Sequence, residues 1–193
     1  GEILGAGKDE IFLKMRQRKP GRLGQYQKFG DVQHEFVVEE NGLKFIVNLS
    51  DYLDTGLFPD HRITRQMLRE QSGGKRVLNL FAYTGSFSVY AAAGLSAKAD
   101  SGSKTKEQLS AKAEGAVEVV TVDLSKTYLD WARRNMQLNG FTDEQKYKFV
   151  HADVKQYLKQ IPAGYLDIII MDPPTFSNSK RMDDILDIQR DHA

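Results

Sequence analysis

Four short stretches of this chain carry residues able to do chemistry, and each follows an apolar run; the first three lead into helix-like runs and the fourth into a polar loop. They are "NLFAYTGSFS" (79–88), Asp123-Leu124-Ser125, His151-Ala152-Asp153 and Asp172-Pro173-Pro174-Thr175-Phe176. Ionised carboxylates only accept hydrogen bonds. Asp123 therefore suits a pair of hydroxyl hydrogens such as those of a ribose, and Asp153 suits the amino hydrogens of a flat base. Gly85 admits close backbone approach, and the amides that open the helix after it supply positive potential. Simpler roles are open for each: Gly85 as a helix entrance, Asp153 as a helix cap, and Asp123 with Ser125 as another cap.

The elements that must position these residues alternate. From residue 75 onward, apolar strands at Arg76 to Leu80, 117–123, 146–150 and 166–171 are separated by helical segments. These lie at Ser86 to Ala93, Lys126 to Leu138 and near Val154 to Lys159. Repeated strand–helix alternation predicts a parallel sheet with helices on both faces, a Rossmann-like α/β architecture. Ligands of such sheets collect at the carboxyl ends of the strands, where the four stretches fall. In the amphipathic helix, Leu129, Ala132, Met136 and Trp131 face inward, and Asn139-Gly140 closes it.

The N-terminal part reads differently. Lys14, Arg16, Arg18, Lys19, Arg22 and Lys28 contain no acidic residue among them, and Pro20, Gly21 and Gly24 favour loop over helix. Interleaved with Tyr26 and close to Phe29, this stretch suits phosphate contact plus stacking on RNA, or an ordinary solvated surface. A hairpin follows, "EFVVEE" and "LKFIVNL" about the turn dipeptide Asn41-Gly42. "RITRQMLREQ" (62–71) carries Ile63, Met67 and Leu68 at helical spacing before Gly73-Gly74. The expected division is 1–58, a basic segment plus β-hairpin, and 59–193, a Rossmann-like domain. Residues 96–115, rich in Ala, Ser and Lys, are expected to form an exposed, flexible insertion.

Composition narrows the function classes. The 193 residues contain no cysteine and four scattered histidines, so a disulfide framework, thiolate chemistry and a metal site are not expected. No apolar run approaches the roughly 20 residues needed to cross a bilayer, and no signal-peptide pattern opens the chain. The expected location is the cytoplasm, with no membrane partner. A dinucleotide site usually carries G-x-G-x-x-G to cradle its pyrophosphate, whereas "FAYTGSFS" has one glycine. That favours a cofactor without phosphate, such as S-adenosylmethionine, over NAD. Asp123 lies 38 residues beyond Gly85, against about 20 in the usual pattern, and the insertion accounts for the surplus. After the fourth strand, two prolines fix φ and remove two backbone donors, so "DPPTF" forms a rigid loop with free carbonyls. Asp172 then stands at the methionine end of the cofactor, and Phe176 can stack on a base; the plainer alternative is a strand terminator.

"DPPTFSNSKRM" (172–182), "VNLSDYLDTGLFPDHR" (47–62) and "NLFAYTGSFSVYAA" (79–92) resemble class I S-adenosylmethionine-dependent rRNA methyltransferases. More closely they resemble the C-terminal, N7-guanine-methylating half of the bifunctional bacterial 23S rRNA guanine methyltransferases. The likeness covers nearly the whole chain except the insertion; Pro59 stands where an aliphatic residue is more usual. It implies that Asp60, Arg62, Phe81, Tyr83, Thr84, Gly85, Ser86, Asp123, Leu124, Ser125, Asp153, Val154 and Asp172 enclose the methyl donor. It implies that Asp172, Pro173, Pro174 and Phe176 serve the reaction. Lys180 and Arg181, beside that loop, can hold the phosphate of the target nucleotide in 23S rRNA. It also implies a C-terminally truncated class I fold, because a full sheet has seven strands, and a second methyltransferase domain fused or adjacent. N2-guanine and cytosine-C5 methylation stay open as alternatives, with "TFSNSKRM" favouring the N7 enzyme. A non-catalytic RNA-binding fragment and a Rossmann-type dehydrogenase also remain.

Overall fold

A computed structural model describes residues 34–95 and 115–173, with 5, 7, 11–13, 176–177 and 186–187 besides. The basic stretch from Lys14 to Lys28, residues 96–114, Pro174, Lys180 and Arg181 lie outside the described residues.

Strands β1 (Glu35–Glu40) and β2 (Leu43–Asn48) pair antiparallel with Glu40 opposite Leu43, leaving Asn41 and Gly42 as a two-residue turn. Both turn residues have positive φ, 52° and 76°, the requirement of a type I′ hairpin. A 3-10 turn at Pro59–His61 leads directly into α1 (Arg62–Gln71). Then come β3 (Arg76–Leu80), α2 (Ser86–Ala92), β4 (Glu118–Asp123), α3 (Lys126–Leu138), β5 (Tyr147–His151), α4 (Val154–Leu158) and β6 (Ile168–Met171). Strands β3, β4, β5 and β6 form a parallel sheet ordered β5-β4-β3-β6. Beyond it, Phe176–Ser177 (β7) and Leu186–Asp187 (β8) make a small antiparallel pair. No described helix is long and apolar enough to cross a membrane.

Strand residues alternate between two cores, as the period of two demands. Val77 and Val119 join Val89, Tyr90, Leu68 and Met136 on one face; Leu78, Leu80, Val120 and Val122 meet Val154 and Tyr157 on the other. Helices therefore cover both faces. Leu43 and Phe45 of the hairpin belong to the first of these cores, so the N-terminal hairpin shares its hydrophobic interior with the sheet domain.

The free edge of β2 is satisfied by side chains of α3. Trp131 Nε1 donates to the Ile46 carbonyl at 3.0 Å, and Asn135 Oδ1 accepts the Ile46 amide at 2.8 Å. Asn139 accepts from the Lys44 amide at 2.8 Å and donates to its carbonyl at 2.7 Å. Four helical residues rise about 6 Å and two strand residues about 6.7 Å. Asparagines spaced by four on a helix thus match alternate residues of a strand, and an edge that would invite pairing is closed.

Inside α1 the pattern departs from simple amphipathicity. Leu68 is buried as expected, but Ile63 and Met67 are exposed and Arg65 is buried at 1%. Its guanidinium grips Glu40 with two bonds, Nε to Oε1 at 2.9 Å and Nη2 to Oε2 at 3.0 Å, and the Tyr90 hydroxyl donates to Oε1 at 2.8 Å. This buried pair ties β1 to α1 and α2.

Candidate functional site

Parallel register brings the strand ends together. Leu80 lies opposite Met171 and Val122, and Asp123 opposite His151. Along one edge of the sheet the order is therefore Asp153, Asp123, the 81–85 loop and Asp172, the four stretches singled out from sequence.

Asp123 is the centre of this row. Its Oδ2 accepts the Tyr83 amide at 2.9 Å and its Oδ1 the Ser125 amide at 2.8 Å, so one carboxylate holds the loops after β3 and after β4. Burial raises its pKa, opposed by the Ser125, Tyr83 and Leu124 amides and by nearby His151. A carboxylate has about four acceptor sites, and these two amides occupy one on each oxygen. With the Leu124 amide as a third neighbour, acceptor capacity for a further donor, such as a hydroxyl, remains.

The loop after β3 is backbone-strained. Phe81 and Tyr83 have φ of 53° and 50°, left-handed values that cost a non-glycine residue roughly 1–2 kcal/mol each. Such strain gathers at functional sites where surroundings over-determine it. The surroundings here are specific. Ala82 N donates to the Val122 carbonyl at 3.1 Å, Thr84 Oγ1 to the Gly56 carbonyl at 2.5 Å, and Asn135 Nδ2 to the Thr84 carbonyl at 2.9 Å. Tyr83 packs edge-on against Tyr128 at 4.6 Å and near Phe58 and Trp131. Burial, then the Tyr128 and Asp54 charges, raise its hydroxyl pKa. Gly85 has φ 73°, and a Cβ there would stand 2.6 Å from Ala132 Cβ. Its glycine is thus required by α2–α3 packing as well as by conformation.

Several other sequence candidates have structural duties. Asp153 caps α4, accepting from Gln156 N at 3.1 Å, and Ser125 caps α3, accepting from Tyr128 N at 3.3 Å. Val154 is buried in the second core. Ser86 opens α2, and the Leu124 carbonyl meets His151 Nε2 at 2.9 Å. Phe81 packs partly buried against Val122's core. Asp60 and Arg62 are exposed and line a groove with Glu39, Asn41 and Leu57. Asp172 and Pro173 follow β6 at the edge, and the backbone of Phe176 enters β7. The sequence reading missed His61. It stands between Asp60 and Arg62 in the quoted "DHR", and its Nε2 lies 3.3 Å from Asp172 Oδ2 and 4.0 Å from Asp60 Oδ2. Among the described residues, no group of His, Asp and Glu has a metal-binding arrangement.

A parallel sheet with acidic tips in a row and a strained loop between them has the architecture of the Rossmann-like class. Comparison with known proteins narrows this further. The family described as S-adenosylmethionine-dependent methyltransferase matches residues 8–106, and the chain belongs to it. It is 52% identical over 192 residues to ribosomal RNA large subunit methyltransferase K of Neisseria meningitidis serogroup B, covering 98% of this chain and 48% of that protein. It is 48% identical over 190 residues to ribosomal RNA large subunit methyltransferase K/L of Aliivibrio fischeri strain MJ11, covering 98% of this chain and 24% of that protein. The chain thus spans about half the length of the one relative and a quarter of the other. Among solved structures, SMU.776, complexed with SAH, superposes with a TM-score of 0.64 at 30% identity over 84% of this chain and 37% of that one. An S-adenosylmethionine-dependent methyltransferase of Agrobacterium tumefaciens shares the fold, with a TM-score of 0.63 at 24% identity over 83% of this chain and 46% of that one.

Proposed function

We propose that this protein transfers a methyl group from S-adenosylmethionine to large-subunit ribosomal RNA, with guanine N7 as the acceptor atom. The observation that carries the proposal is the Asp123 carboxylate, fixed by two loop amides at the centre of the carboxyl edge with acceptor sites to spare. Asp123 takes the ribose hydroxyls and Asp153 the adenine amino hydrogens, while the strained 81–85 loop and Ser86 line the donor's flank with Leu124, Ser125 and Val154. The relatives' names, ribosomal RNA large subunit methyltransferase K and K/L, support the substrate class. The bound cofactor supplies an electrophilic methyl group on a sulfonium centre.

Guanine N7 has a free lone pair at neutral pH and carries no proton, so the protein need not remove one. Its residues act by alignment, which at best lowers a barrier by about 7–11 kcal/mol. Asp172 and the two prolines after it present a stiff loop to the base. Phe176 stacks on that base, an interaction worth roughly 1–3 kcal/mol. Arg16, Arg18, Lys19, Arg22 and Lys28 contact RNA phosphates, and Lys180 and Arg181 hold the phosphate beside the target.

The test is nucleoside mass spectrometry of large-subunit rRNA after incubation with the protein and isotopically labelled donor. Labelled N7-methylguanosine is the expected product. N2-methylguanosine or 5-methylcytidine would overturn the acceptor assignment, as would a rate that rises with pH in the unmodified protein and loses that rise in Asp172→Ala.

A further inference from the structure

We infer that His61 is a positioning residue for Asp172, a member of the proposed machinery that lies just past the end of β6. β6 ends at Met171, and the residues after Asp172 are prolines, which have no amide to give to a ladder. A fixed carboxylate at this place needs a side-chain partner, and the imidazole Nε2 stands 3.3 Å from Asp172 Oδ2.

The imidazole is itself mounted on rigid structure. His61 closes the 3-10 turn begun by Pro59, and the backbone continues without a break into α1, which the buried Arg65–Glu40 pair anchors. Its ring lies 5.8 Å from the Phe87 ring of α2. Asp60 Oδ2, on the same turn, lies 4.0 Å from the same Nε2. The side chains of His61 and Asp172 are 35% and 49% exposed. A pair this open to water adds little to folding stability, so what it supplies is geometry, the placing of one carboxylate where the substrate loop begins.

The kinetic half of this inference rests on the proposed methyl transfer; the structural half does not. His61→Ala should lower kcat at least tenfold. KM for the donor and S-adenosylhomocysteine affinity should change less than kcat, because Asp123 holds the ribose end of the cofactor while Asp172 stands only at its methionine end. His61→Gln should restore most of the rate, since its amide nitrogen reaches the place of Nε2. In the ligand-free protein, hydrogen exchange at the Met171 and Asp172 amides should quicken in His61→Ala and in Asp172→Asn, and return towards normal in His61→Gln. Unchanged exchange in His61→Ala overturns the inference. Quickened exchange with unchanged kcat overturns it too, by separating the pairing from the reaction, and so does failure of His61→Gln to rescue. If the unmodified protein binds no S-adenosylhomocysteine and methylates no rRNA, the proposed function falls, and the exchange measurements still decide the pairing.

Discussion

Asp123→Asn tests the carboxylate at the centre of the site with almost no change of shape. Each oxygen of Asp123 accepts one amide, from Tyr83 at 2.9 Å and from Ser125 at 2.8 Å. An asparagine has one acceptor oxygen, so whichever way it turns its NH₂ confronts an amide N–H. The lost charge-assisted bond and the stranded donor cost about 1.5–3 kcal/mol. Relief of burying a charge returns part of that, because burial raises the Asp123 pKa. The expected net loss in urea denaturation of the ligand-free protein is about 1 kcal/mol. The sign with pH is also fixed. A carboxyl whose folded pKa is above its unfolded value makes stability fall as pH rises from the ordinary carboxylate range through the folded value, and the asparagine should remove that fall. Affinity for S-adenosylhomocysteine, read by calorimetry, should weaken at least tenfold, equivalent to about 1.4 kcal/mol, because a hydroxyl then loses its charged acceptor. An Asn variant with unaltered stability would refute the two-loop role. Unaltered affinity would refute the ribose role, whatever happened to stability.

Three further outcomes follow from other parts of the molecule. Glu40→Ala leaves Arg65, at 1% exposure, without its counter-charge, and should cost about 3–5 kcal/mol in chemical denaturation; a loss under about 1 kcal/mol would show the guanidinium reaching water. Burial, then the Glu40 carboxylate, push the Tyr90 hydroxyl up to about 12. The folded state then keeps a proton that the unfolded state gives up, so stability should fall as pH rises from about 10 to 12, and Tyr90→Phe should flatten that fall. Replacing Arg16, Arg18 and Lys19 by Ala should reduce the salt slope of rRNA binding by roughly 2, at about 0.7–0.9 for each phosphate no longer neutralised; an unaltered slope would make the stretch ordinary surface.

Much of the fold was legible because its signals are local. Apolar spacing and the Asn139-Gly140 stop place α3 at Lys126–Leu138, and Asn41-Gly42 with alternating neighbours places the hairpin. The strand ends carrying Asp123, Asp153 and Asp172 follow from the same periodicity. What was not legible depends on partners far apart in the chain. Ile63 and Met67 share the helical spacing of Leu68, yet they are exposed while Arg65 is buried. Nothing in "RITRQMLREQ" announces that Glu40 waits to receive a guanidinium. His61 likewise has no local mark beyond lying between two candidate residues, because Asp172 meets it only when β6 is laid beside β3. Gly85 was legible as a required glycine, but its packing reason, Ala132, belongs to a helix that follows the next strand.

Those distant partners make the hairpin part of the site's support. Asn135 bonds the Ile46 amide through Oδ1 and the Thr84 carbonyl through Nδ2, so one fully buried side chain joins β2 to the loop after β3. Thr84 in turn reaches Gly56, whose φ of 105° and 2.5 Å Cβ approach to Trp131 admit no larger residue without movement. Trp131 closes the circuit on Ile46. Four of the links are hydrogen bonds whose polar groups burial would penalise if left unpaired. The fifth is the close approach of Gly56 to Trp131, and together they brace the strained loop at Phe81 and Tyr83. A division between residues 58 and 59 would run through it, separating the loop that presents Asp123's partner amide from the hairpin that holds that loop in place.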